Sequence, residues 1–312
     1  MRLVFIPLMI FAPLALTAQD MLLGNYASSI LQRDLRRHVD VLASDSLQGR
    51  EAGTPGGWMA GDYVATCFEH YGLKAPYRGS YFQPLDTLPG ARNVVGVLEG
   101  ADAEAGAVVV GAHYDHHGMY YYSVYNGADD NASGVAAMLE IAEALAGLGK
   151  GGYKPRRSII FIAYDAKERS MAGSAWYAAH PLTPLARTAA CFNMDMLGRI
   201  DVPPGADTNY VLAVGVDKHR SPLRQITDAV NASRHLNLDV DYTFYGSNTF
   251  HDMFYHISDQ YNFGKHGVPV IYYTSGMHDD LWKPGDDSYK LSFPVLQKRT
   301  QLIFYTVWEM AK

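Results

Sequence analysis

Five short apolar runs, each bounded by glycine, proline or polar residues, punctuate the chain: Asn93–Leu98, Ala107–Ala112, Ser158–Ala163, Ala189–Met194 and Val268–Thr274. Runs of this length with little polar alternation predict strands buried on both faces. Between them the apolar spacing changes to a helical one. Val135, Met138, Leu139, Ala142 and Leu145 share one face of a helix expected to end near Gly147-Leu148-Gly149. Leu291–Met310 reads as a second amphipathic helix, and Ser28–Ser44 and Trp58–Tyr71 as helices ahead of the sheet. This alternation predicts an α/β sandwich around a mostly parallel sheet.

Residues 1–18 follow a different pattern. Arg2 is followed by an apolar stretch, Leu3–Leu16, and by the small residues Thr17 and Ala18, the order of an export signal cleaved near Gln19. The stretch is shorter than the ~20 residues of a membrane span and is broken by Pro7 and Pro13. No later segment reads as long and apolar enough to cross a membrane. The expectation is an exported protein, periplasmic or extracellular, with residues 19–312 as one domain.

With 48% hydrophobic and 19% charged residues, the 312-residue chain has the composition of a globular protein, which excludes disordered and collagenous readings. A formal charge of -6 gives no basic footprint, so nucleic acid is not an expected partner. The two cysteines, Cys67 and Cys191, form no metal-spaced pair and read as separate buried thiols.

In sheets of this kind chemistry gathers beyond the carboxyl ends of the strands. There the sequence places His113-Tyr114-Asp115-His116-His117, then Tyr164-Asp165-Ala166-Lys167-Glu168, then Asp195, while Asp129-Asp130-Asn131 opens the helix starting near Ala132. An imidazole and several carboxylates converging from these ends are ligands for a borderline divalent cation such as zinc. Singly, each group reads as a helix cap or a solvated loop end, and Asp129 or Asn131 alone would be read as a cap; together the four clusters favour a shared site.

The stretches "LASDSLQGREAGTPGG" (42–57), "GAHYDHHG" (111–118), "NGADDNASGVAAMLEIAEAL" (126–145), "FIAYDAKERSMAGSAWY" (161–177), "FNMDMLGR" (192–199), "SDQYNFGKHGVPV" (258–270) and "GMHDDLWKPGDD" (276–287) resemble the co-catalytic zinc exopeptidases of metallopeptidase family twenty-eight. That family contains secreted bacterial aminopeptidases and is related to glutaminyl cyclases and glutamate carboxypeptidases. The resemblance implies a three-layer αβα sandwich with a central mixed, mostly parallel sheet. It further implies that His113 and Asp195 ligate one zinc, that Asp130 bridges two, that Glu168 ligates the second, and that Asp115 orients the His113 imidazole. Asp129 is the alternative bridge, although the register against "NASG" favours Asp130. A cis peptide bond Asp130–Asn131 is implied as well.

The same resemblance exposes three departures. Lys167 stands where the family has the glutamate that acts as general base, and Leu281-Trp282 replaces a Tyr-His pair whose tyrosine helps hold the oxyanion and whose histidine ligates the second zinc. His116, His117, His256, His278 and Asp280 are the nearby groups that could substitute. Neighbouring carboxylates stabilise an ammonium, so Lys167 is a poor base, and either its Nζ or the Trp282 ring is expected to fill the second-metal position. At most one zinc is expected, on the His113 side, or none. The aromatic residues Tyr120, Tyr121, Tyr122, Tyr125, Phe244, Tyr245, Phe250, Phe254 and Tyr255 suit the rim of a pocket for a peptide or small molecule. The expected function is therefore a non-catalytic or altered exopeptidase fold that binds such a ligand. The alternatives are an active zinc aminopeptidase with a substitute base and, more weakly, a one-metal acyltransferase resembling glutaminyl cyclases.

Overall fold

The computed structural model describes residues 11–202 and 207–312, with side chains from Gln19 onward; residues 1–10 of the expected leader lie outside this range. The strands are β1 (Phe82–Pro84), β2 (Arg92–Leu98), β3 (Ala107–His113), β4 (Met119–Tyr120), β5 (Ser123–Val124), β6 (Ser158–Tyr164), β7 (Thr188–Met194), β8 (Tyr210–Val214), β9 (Asp239–Asp241) and β10 (Val270–Thr274). The helices are α1 (Phe11–Ser29), α2 (Gln32–Leu42), α3 (Pro55–Tyr71), α4 (Gly134–Lys150), α5 (Ala172–Ala179), α6 (Leu223–Ser233), α7 (Asn248–His256), α8 (Tyr261–Gly264) and α9 (Phe293–Ala311).

Among the described residues eight strands form one sheet in the order β1-β2-β6-β3-β7-β10-β8-β9, and β4 and β5 form a separate hairpin. The centre, β6-β3-β7-β10, is parallel; β1 and β2 run antiparallel on one side, and β8 runs antiparallel to β10 on the other. Alternate residues of each central strand enter opposite cores. In β6, Ile159, Phe161 and Ala163 face the layer of α1, α2, α3, α4, α6 and α9, whereas Ile160, Ile162 and Tyr164 face that of α5, α7 and α8. Because both faces are covered, neither set can be polar, and the uninterrupted apolar runs follow. The result is the three-layer αβα sandwich with a mixed, mostly parallel sheet.

Several details depart from expectation. The Ser28–Ser44 segment is two helices: Leu31 takes an extended conformation, which turns Ile30 fully into the core before α2 begins. Helix α4 continues past Gly147 and Gly149 to Lys150. Gly147 is a contact residue, since a Cβ there would lie 2.6 Å from the Tyr26 ring of α1. The segment 128–150 is, contrary to the sequence expectation, long and apolar enough to cross a membrane, but 83% of its apolar window is buried inside the protein. Lying between the sheet and the outer helices, it exposes little beyond Glu143 and Lys150. Cys67 and Cys191 are free thiols on α3 and β7.

Candidate metal centre

Strands β6, β3 and β7 are adjacent and parallel, so the residues that follow them emerge at one edge of the sheet, where α4 also begins. His113 Nε2 lies 3.3 Å from Asp130 Oδ1 and 3.2 Å from Asp195 Oδ1, with all three side chains buried. On its other side Nδ1 is 3.2 Å from the backbone carbonyl of Asp115 and 3.6 Å from its carboxylate, so the carbonyl is the better acceptor for an Nδ1 proton. The Asp115 carboxylate accepts the backbone N–H groups of Lys167 (3.0 Å) and Glu168 (3.1 Å), which fixes the turn carrying both side chains.

Asp129 and Asp130 have different surroundings. The Asp129 carboxylate is buried among donors, the Gly198 N–H and the hydroxyls of Ser133 and Ser275. Asp130 faces His113, the Asp130–Asn131 bond is cis, and among the described residues neither Asp130 oxygen has a hydrogen-bond donor although the residue is 1% exposed.

Of the groups holding this turn the sequence reading names Asn131 alone, although Arg50, Gly134, Ser258 and Asp286 also lie within the quoted stretches. Asn131 donates to the carbonyls of His113 and Met194 and accepts from the N–H groups of Gly134 and Met196, so it ties the ends of β3 and β7 to the head of α4. That approach needs Gly134, where a Cβ would sit 2.6 Å from the Met194 carbonyl oxygen. Buried Arg50 donates to the carbonyls of Leu42, Tyr114, Asn126 and Gly127. Ser258 donates to Asp195 Oδ2 at 2.6 Å. Asp286 Oδ2 accepts both the Asp129 (2.9 Å) and Asp130 (3.0 Å) N–H groups. Asp286→Ala is expected to weaken zinc binding at His113 by about 10–100-fold, as loss of an orienting group does, measured by chelator competition. Unchanged affinity would mean that the turn holds Asp130 without Asp286.

One imidazole nitrogen and two carboxylates within hydrogen-bonding range, one of them buried without a donor, fit a zinc ion. The profile of Peptidase family M28 matches residues 93–307, more than half of the chain. This chain belongs to peptidase family M28. The Escherichia coli (strain K12) protein YfbL is 27% identical to it over 233 residues, 66% of this chain and 67% of YfbL. Aminopeptidase NAALADL1 of Mus musculus is 39% identical over 106 residues, which are 33% of this chain but 13% of that protein. BSAP, a zinc aminopeptidase from Bacillus subtilis, superposes with a TM-score of 0.70 at 15% identity, covering 91% of this chain and 96% of BSAP.

In this M28 protein the space beside Asp130 holds the Lys167 side chain. Its Nζ lies 3.0 Å from Glu168 Oε1, 3.5 Å from Asp130 Oδ1 and 3.8 Å from Asp195 Oδ2. Burial favours the neutral amine, but Asp130, Asp195 and Glu168 outweigh it and hold the Lys167 pKa well above that of an ordinary lysine. Burial also raises a carboxylate, yet Lys167 and His113 hold Asp130 well below the usual range. Burial keeps the His116 imidazole low despite Asp130 nearby.

Leu281 and Trp282 line an apolar cavity of about 210 Å³ with Met196, Met253, Phe254 and Tyr272, floored by Asp130, Lys167 and Asp195. Trp282 is 59% exposed and stands at the wall, so of the two expected occupants it is Lys167 that lies among the carboxylates. His256 bonds the Asp252 carbonyl on an exposed surface, and Asp280 pairs with Arg199 and Lys290. His278 Nε2 is 3.5 Å from Asp129, behind the turn. Of the expected rim, Phe254 lines the cavity, Phe244 and Tyr255 are buried in the core, and Tyr120, Tyr121 and Tyr122 are exposed.

Proposed function

We propose that this chain is an exported, single-domain M28 protein that binds a peptide or small molecule in its cleft and does not hydrolyse peptides by a two-zinc route. The observation that carries this reading is the Lys167 ammonium within 3.0–3.8 Å of Glu168, Asp130 and Asp195. It compensates carboxylates that a second cation would otherwise compensate. A lysine that keeps its proton in this environment cannot take one from water, so the position that the family resemblance assigns to the general base has no base. Leu281 offers no hydroxyl to an oxyanion, and Trp282 has no lone pair for a metal.

His113, Asp130 and Asp195 would hold one zinc, and a bound zinc supplies Lewis acidity toward a ligand oxygen. The protein's own contribution is an apolar wall of methionines and aromatics that excludes water from one ligand side chain, above a floor whose charges are paired. The test is amino-acid release from a panel of aminoacyl and dipeptide substrates at saturating zinc, with calorimetric titration of the same peptides. Binding without release is expected. Turnover that is lost in His113→Ala would overturn the proposal.

A further inference from the structure

A second group of ligands lies on the far side of Lys167. Glu168 divides its carboxylate: Oε1 accepts from Lys167 at 3.0 Å, while Oε2 lies 3.4 Å from His117 Nε2. The His116 ring lies 4.6 Å from that of His117, centroid to centroid, the two planes tilted by 55°. His116 is 1% exposed, and among the described residues neither of its ring nitrogens has a hydrogen-bond partner. One ligand atom each from His116, His117 and Glu168 lie within 4.8 Å of one another. These residues line a cavity of about 260 Å³ that also meets Glu51, Asp115 and Arg169, separate from the apolar cleft lined by Trp282.

A buried imidazole costs free energy when both of its nitrogens lack partners, and a cation is the partner that a neighbouring imidazole and carboxylate can share with it. We infer that His116, His117 and Glu168 form a binding site for a zinc-like divalent cation, displaced from the two-zinc position of the family and open to the cavity on its fourth side. Two imidazoles and one carboxylate with an open position are a zinc ligand set, also acceptable to cobalt or nickel, and are unsuited to calcium or magnesium, which take oxygen ligands. The inference rests on the reading above in one respect: Lys167 occupies the position beside Asp130, so Glu168 turns its second oxygen toward His117. Asp130 borders the site without belonging to it, its Oδ2 lying 3.8 Å from His116 Nδ1.

The experiment compares the full chain with His113→Ala and His117→Ala, each titrated with zinc and, separately, with cobalt(II). Total metal is read by elemental analysis, and the cobalt environment by visible absorption. His117 is one-third exposed, so its replacement leaves the core packing intact. The expected result is an ion retained by His113→Ala and lost by His117→Ala, with affinity reduced at least about 100-fold in the latter, since a lost ligand exceeds a lost orienting group. Its cobalt absorption band should disappear from His117→Ala alone. The inference is overturned if His117→Ala matches the parent in stoichiometry and affinity, if no ion survives His113→Ala, or if the parent takes up no metal. Peptide turnover that depends on His113 would defeat the functional reading while leaving the His117-dependent ion in place, so the two failures are distinguishable.

Discussion

Replacing Lys167 by methionine is expected to destabilise the metal-free protein by about 3–5 kcal/mol, the cost of breaking a buried charge pair by removing one partner. Methionine has nearly the same length and no charge, so the change deletes the ammonium while largely conserving volume. Asp130, Glu168 and Asp195 would then face one another without the cation that lies 3.0–3.8 Å from each. Burial pushes Asp130 and Asp195 up, but Lys167 and His113 pull both below the ordinary carboxylate range. For a depressed carboxylate the stabilisation is present above its unfolded pKa and lost as pH falls through the folded one. The parent therefore loses this contribution in acid, below the usual aspartate range. In Lys167→Met the pull from Lys167 is absent, burial gains weight, and protonation relieves repulsion, so the two stability curves converge as pH falls. Urea unfolding in chelator across pH measures both effects. A difference below about 1 kcal/mol at neutral pH would be that of a surface pair, and would mean that the carboxylates are neutralised by protons rather than by Lys167.

The parallel centre of the sheet was legible because β3, β6 and β7 are buried on both faces, and burial of that kind leaves a continuous apolar run in the sequence. The three-residue strands β1 and β9 are too short to display a period, whereas β8, Tyr210–Val214, carries the same apolar run as the strands that were expected. At the site, strand ends drew attention to His113, Lys167, Glu168 and Asp195, and the structure brings them together with Asp130. The supporting contacts were less accessible. Apart from the Leu42 carbonyl, Arg50 and Asp286 act on backbone groups 64 to 157 residues away, and nothing local in a sequence marks an arginine that will bond four carbonyls. His116 and His117 were visible only as nearby imidazoles; that one has no partner and the other faces Glu168 depends on the side-chain packing.

The combined changes Lys167→Glu, Leu281→Tyr and Trp282→His are expected to create a second zinc position beside Asp130 and to raise aminopeptidase turnover at least about 100-fold over Lys167→Glu alone, the range attributed to a single oxyanion donor. The geometry permits this because Leu281, Trp282, Lys167 and Asp130 already line one cavity. Trp282 has a positive φ of 58°, a region in which histidine is better represented than bulky residues, so Trp282→His should not strain the backbone. Lys167→Glu by itself replaces the ammonium that pairs with three carboxylates by a fourth carboxylate, while supplying no ligand from the 281–282 turn. It should destabilise the metal-free protein and leave the second position weakly bound. Zinc stoichiometry by elemental analysis and amino-acid release under the same conditions separate metal recruitment from chemistry. If Lys167→Glu alone gives full turnover with a second tightly held zinc, the histidine at 282 was never required. The imidazole would then have to come from His116 or His117, whose replacement in that background should abolish the turnover.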